Sequence, residues 1–193
     1  MHKATALEMY PYNFAFQVHD ASLGMRDTDH AVTEQTLAQG FSGHSRSYYF
    51  STLGDCLEIR IEVWLADHQE KVALRPDTLR AIRVPFSVSS SGVMIADGIG
   101  SVEQVIRLRT GEYALVFEIK LKNDAEYLSS SQYQEDVEGG FSKEWCYLTF
   151  YPRVEPVQPE ILRLDAWSSP PYPLQSYCPL NPTYPLLMET GLA

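Results

Sequence analysis

Large apolar and polar side chains alternate along much of this 193-residue chain with the period of a strand. The alternation is cleanest at Cys56–Leu65. There Leu57, Ile59, Ile61, Val63 and Leu65 fall on one face, with Glu58, Arg60, Glu62 and Trp64 on the other. A period of two sets one face on a core and turns the other to solvent or a polar neighbour. The same reading applies to Tyr12–His19, Val102–Leu108 and Tyr113–Leu121, the last with Tyr113, Leu115, Phe117, Ile119 and Leu121 in line. Arg46–Thr52 favours a strand through its bulky run Tyr48-Tyr49-Phe50, and Trp145–Tyr151 reads as a last strand halted by Pro152. At Ile82–Ile95, two apolar runs flank Ser-Ser-Ser-Gly, the pattern of a β-hairpin closed by a short glycine-containing loop. Pro85 cannot donate to a ladder, so its strand is expected at a sheet edge or bulged, with its free side open to the C-terminal part of the chain.

Two stretches break the alternation. Asp27 or Thr28 can cap a helix running to about Gln39, because a side-chain oxygen there accepts from an orphan N–H, and Gly40 ends it without a Cβ penalty. Asn123–Gly140 is polar and Ser-rich, ends in Gly-Gly and reads as a long loop. At least seven short strands with turn signals between them and one short helix predict an all-β fold, an antiparallel β-sandwich, with a closed barrel as the alternative.

Nine of the twelve prolines lie in residues 152–193. This divides the chain into a β-sandwich domain, residues 1–152, and a Pro-rich C-terminal extension, residues 153–193. The apolar residues Ile161, Leu164, Trp167, Tyr177, Leu186 and Leu187 exceed what a linker needs, so the extension is expected to pack on the sandwich as an ordered strap.

Composition narrows the function classes. A hydrophobic share of 45% supports one sizeable core. The formal charge of -10 disfavours direct binding to nucleic acid or to an anionic membrane and suits a basic partner. Cys56, Cys146 and Cys178 are an odd number with no C-x-x-C spacing, which fits a reducing compartment. The N-terminal stretch lacks the apolar run of a secretory signal, and nowhere do about 18 uncharged apolar residues run together. The expected location is cytoplasmic, at most peripheral to a membrane through a partner.

Chemistry is sparse. His2, His19, His30, His44 and His68 form no metal-binding spacing, so no metal site and no cofactor are expected. Asp27, Asp29 and His30 could form a carboxylate–imidazole pair, but helix capping explains the aspartates equally well. Cys56 and Cys146 fall in strands, where a thiol is usually a small buried hydrophobe. Gly92, Gly98 and Gly100 lack the strand-to-helix context of a phosphate loop, and Asn181-Pro182-Thr183-Tyr184 reads as an Asn-Pro turn. No catalytic residue is assigned.

Charge placement is more informative. Up to Lys122 the chain has 15 acidic and 12 basic residues; from Asn123 onward it has 10 and 3. The densest part holds Asp124, Glu126, Glu135, Asp136 and Glu138, with no Lys or Arg among them. Such a segment is either a solvated loop or a partner-binding surface whose spaced carboxylates imitate a phosphate backbone toward a basic groove.

The order and spacing of several motifs resemble the competence protein J family. They are the aromatic first strand FAFQVHD, the short Thr/Asp/Glu-rich helix ending in Gly40-Phe41, the stretch VPFSVSSSGVMIAD, and the turn and strand at Thr110–Leu115. The resemblance covers Tyr12–Leu121 and extends more faintly to Tyr151. It implies a stoichiometric, cofactor-free inhibitor of a DNA-entry nuclease, acting in competence and DNA uptake by occupying the nuclease's active-site cleft. The Pro-rich extension looks additional to the family pattern, and no family motif supplies inhibitory residues, so the five carboxylates are the candidates by charge placement. The alternative is a protein-interaction module that uses the Pro-rich tail.

Overall fold

The computed structural model describes residues 1–11, 14–23, 33–53, 56–67, 72–90, 92–97, 103–139, 142–153, 155, 157–166 and 174. The described strands are β1 (His2–Met9), β2 (Ala15–Asp20), β3 (Phe41–His44), β4 (Ser47–Ser51), β5 (Cys56–Leu65) and β6 (Arg80–Val88). They continue with β7 (Gly92–Ala96), β8 (Glu103–Arg107), β9 (Gly111–Leu121), β10 (Ser142–Pro152) and β11 (Glu160–Arg163). Three short helices accompany them among the described residues: α1 (Glu34–Gln39), α2 (Ala125–Leu128) and α3 (Ser131–Glu138).

The strands form two sheets, one six-stranded in the order β1-β5-β10-β9-β6-β11 and one five-stranded in the order β3-β4-β2-β7-β8. Two separate sheets with open edges make this a sandwich rather than a closed barrel. Pairing is antiparallel throughout except between β5 and β10, which run parallel. The inner faces are those the alternation selects. Ile59, Ile61 and Val63 of β5, Leu115 and Phe117 of β9 and Leu148 of β10 meet Phe16, Val18 and Phe50 from the other sheet, all at most 1% exposed. Aromatic rings bridge the layers: Phe117 lies 4.7 Å from Phe50 and 5.7 Å from Phe16, centroid to centroid.

The stretch Ile82–Ile95 is not a hairpin. Both of its halves are strands, yet β6 belongs to the six-stranded sheet and β7 to the five-stranded one. Ser89–Ser90 begin an arch from one layer to the other, because both apolar runs have a core face to bury and a different partner to pair with. β6 pairs with β9, and β7 with β2 and β8. At the β7 end Gly92 is required by a close approach: a Cβ there would sit 2.8 Å from the Ile106 carbonyl oxygen.

The arch is held by Asp20, whose side chain is fully buried. Its carboxylate accepts from the Ser89 and Ser90 amides, from the Ser22 amide at 2.8 Å and from the Ser22 hydroxyl at 2.7 Å. Arg46 Nη2 lies 3.7 Å away and donates to the Ser22 and Ser89 hydroxyls. Burial alone would raise the Asp20 pKa; the hydrogen bonds from Ser89, Ser22 and Ser90 outweigh it and hold the carboxyl well below its ordinary range.

Gly40 ends α1 in the left-handed conformation, φ 81°, as expected. The cap at its start is Thr33, in a reciprocal capping box with Thr36; Asp27 and Thr28 lie outside the described residues.

Pro85 sits opposite Ala114 of β9, and among the described residues its other side faces no strand, since β11 pairs only with Ala81–Arg83. The proline thus occupies the locally open part of β6, as its missing N–H demands. β11 is fastened by three side chains. Arg83 pairs with Glu160, Arg163 Nη1 donates to the Thr78 carbonyl at 2.7 Å, and Arg80 Nε pairs with Asp165. The Arg80 and Asp165 side chains are 7% and 1% exposed.

A second, smaller apolar cluster covers the outer face of the six-stranded sheet. Ala66, Ala114, Val116 and Tyr151 form its floor, with Val72, Leu74, Val157 and Leu162 laid over them. The link before β6 is pinned there by Glu118, 2% exposed, which accepts from Arg75 N at 2.7 Å, Arg75 Nη1 at 2.5 Å and Thr78 Oγ1 at 2.8 Å.

Candidate functional site

The acidic segment between β9 and β10 is helical where a loop was expected. Asp124 caps α2, its side chain accepting from Tyr127 N at 2.9 Å, and Ser130 caps α3, accepting from Tyr133 N at 3.1 Å. The helices turn back on each other around Tyr127. Its ring meets Tyr133 edge-on at 5.4 Å and lies beneath Lys122 Nζ at 4.8 Å and Lys143 Nζ at 5.7 Å. Those two lysines come from the end of β9 and the start of β10, so they tie the helices to the sheet.

The five candidate carboxylates separate into two groups. Asp136 is 3% exposed and points inward, accepting from Tyr127 Oη at 2.8 Å and from Gln132 Nε2 at 2.9 Å. Burial first, and then the Asp136 hydrogen bond and charge, push the Tyr127 phenol above its ordinary range. Asp124 is occupied by its cap and stands 3.8 Å from Lys122 Nζ. Glu126, Glu135 and Glu138 are exposed. Glu135 and Glu138, three residues apart, share a face of α3. Leu128 and Val137, 44% and 55% exposed, stand among them. The charge clustering shows in the sequence, whereas the apolar members of the surface have no sequence signal of their own.

Other candidate chemistry finds no assembly. Asp27, Asp29 and His30 lie outside the described residues, as do Cys178 and the Asn181–Tyr184 motif. Cys146 is fully buried on the inner face of β10. Among the described residues no group of three or more His, Cys, Asp or Glu could hold a metal ion, and no helix is long and apolar enough to cross a membrane. A cleft of about 60 Å³ at the base of the helices, between Glu58, Lys122, Lys143 and Trp145, has room for a few waters rather than a substrate.

A family model described as competence protein J matches residues 15–151. Among solved structures, one similar fold is described as ComJ, inhibitor of the DNA degrading activity of NucA, from Bacillus subtilis. It is 15% identical with a TM-score of 0.55, and the alignment covers 77% of this chain and 97% of that one. A second, described as Crocagin biosynthetic gene J, is 11% identical with a TM-score of 0.42, covering 79% and 99%. No curated protein sequence matches. At 15% identity the likeness to the first is one of fold. β1 and β11, the two outer strands of the six-stranded sheet, lie outside the matched residues.

Proposed function

The chain belongs to the competence protein J family, and from that premise we propose that it is a stoichiometric protein inhibitor of a DNA-degrading nuclease. It acts by docking, without a cofactor or a catalytic step of its own, from the cytoplasmic side. Family membership over most of the chain carries this reading. A relative of the same fold is described as an inhibitor of a DNA-degrading activity, which supports it.

The docking face we propose is the α2–α3 excursion. Glu126, Glu135 and Glu138 meet basic residues around the nuclease cleft, and Leu128 and Val137 supply the apolar contact that makes such a face stick. Asp124 and Asp136 serve the same face from inside, as cap and as buried acceptor.

The test is titration of the cognate nuclease, obtained by co-purification with this protein, with the wild-type chain and with the triple variant Glu126→Gln, Glu135→Gln, Glu138→Gln. Rim charges of this kind contribute roughly 0.5–1 kcal/mol each, so inhibition should weaken about 10- to 100-fold, with a reduced salt dependence and an unchanged unfolding midpoint. Full potency in the triple variant would remove the acidic face. Failure of the wild-type chain to inhibit the nuclease it binds would remove the inhibitor reading itself.

A further inference from the structure

The N-terminal strand β1 is an eight-residue edge of the six-stranded sheet. Among the described residues, its backbone makes no backbone hydrogen bond on the side away from β5. A cleft of about 310 Å³ runs beside it, lined by Ala6, Leu7, Glu8 and Arg60. Open edges of this length are templates for pairing, and proteins normally blunt them with charges or bulges. β1 carries both, and both are arranged to suit a second copy of itself.

A register shift lies between Lys3 and Thr5, so Ala4 is an extra residue. Lys3 faces Trp64, Ala6 faces Glu62 and Glu8 faces Arg60, which puts Lys3, Ala6 and Glu8 at successive positions on the outer face. The bulge therefore makes the cation and the carboxylate equidistant, in face positions, from Ala6. A two-fold axis at Ala6 would pair two β1 strands antiparallel, with Lys3 of each copy opposite Glu8 of the other and Thr5 opposite Leu7 on the inner side. Without the bulge, no single register would place both charges on one face and opposite each other.

We propose that β1 is a self-complementary edge through which two copies of this chain join into a dimer, continuing the six-stranded sheet from one copy into the next. The contact is isologous, so each charged pair occurs twice. β1 lies outside the family-matched residues 15–151, so the dimer contact is separate from the docking face and does not depend on the function proposed above.

Sedimentation equilibrium of the full chain, from low micromolar to near-millimolar concentration, tests it. The wild-type mass should rise from one chain toward two. Lys3→Glu sets carboxylate against carboxylate at both ends of the contact and should weaken the dimer at least roughly tenfold. Adding Glu8→Lys restores opposite charges across the contact and should recover most of the lost affinity, a rescue that loss of the Lys3–Glu62 ion pair within one chain, 3.4 Å long, would not produce. If Lys3→Glu fails to fold, Glu8→Lys alone makes the same test from the other side of the pair. A single-chain mass across the whole range would overturn the proposal, as would a dimer indifferent to Lys3→Glu or one that the double variant does not recover.

Discussion

Asp136 offers the sharpest test of how the acidic excursion is built, because it carries charge in the sequence and yet is buried in the fold. Replacing it with Ala removes the acceptor for Tyr127 Oη and for Gln132 Nε2. A hydrogen bond to a charged acceptor contributes about 1.5–3 kcal/mol when buried. Gln132 is exposed, and its share is small. The phenol is 7% exposed and is left without its partner, so the expected cost is about 2–3 kcal/mol. Asp136→Asn keeps one carbonyl oxygen and should lose about half of that. The helices are tied to the sheet through Lys122 and Lys143, so the cost should appear as local opening. Hydrogen exchange across 125–138 should accelerate roughly 30- to 150-fold in Asp136→Ala, with little change in the strands of the core. Inhibition of the nuclease should fall in the same order, Ala below Asn below wild type, although residue 136 itself offers no surface. Unchanged exchange in 125–138 would refute the account of Asp136 as the internal fastening. An equal loss of protection in β9 and β10 would refute the claim that the excursion opens on its own.

Two further expectations concern the frame. The Asp20 carboxyl titrates below its ordinary 3.8 in the folded state, so its contribution is complete above that pH and is lost as pH falls below it toward the folded value. Asp20→Asn should cost about 3 kcal/mol in urea unfolding at neutral pH and flatten the loss of stability below about pH 4; an acid limb as steep as wild type would count against the arch clamp. Asp165→Asn leaves the buried Arg80 guanidinium without its anion and should cost about 3–5 kcal/mol, read as a drop in thermal midpoint and as protease cutting between Arg153 and Arg163; a midpoint unchanged by the substitution would show that the extension is not fastened there.

Strands with one buried face are legible because a period of two survives any tertiary context, and β5 and β9 appear much as their alternation predicts. β1 is not legible in the same way. As an edge strand it buries only Met9 fully, so His2–Glu8 show little contrast between faces. The Ser-Gly arch misleads for a different reason. A short polar turn between two apolar runs has the same local chemistry whether the strands pair or part. The residue that distinguishes the cases, Asp20, is 69 positions from Ser89. The acidic helices escape notice because their buried side is polar: Tyr127 and Asp136 hydrogen-bond to each other where an apolar stripe would have given a period. The capping residues Asp124 and Ser130 were the signal available. For the proposed site, the position of the charge cluster is visible in the sequence. Which carboxylates reach solvent depends on helix phase, which a loop reading cannot supply.

The parallel pairing of β5 with β10 also sets the timing of assembly. Cys56 lies opposite Ser142 and Leu65 opposite Phe150, separations of 86 and 85 residues. β5 sits inside the sheet, between β1 and β10, so during synthesis its backbone edge toward β10 waits until more than two-thirds of the chain has been made. Closing a loop of that size before any local contact compensates for it places the folding rate at the slow end for domains of this size, on the order of milliseconds to seconds. In that interval the free edge of β5 is the segment most open to misplaced pairing, and a nascent-chain or refolding experiment should find that edge gaining protection from exchange only together with β10.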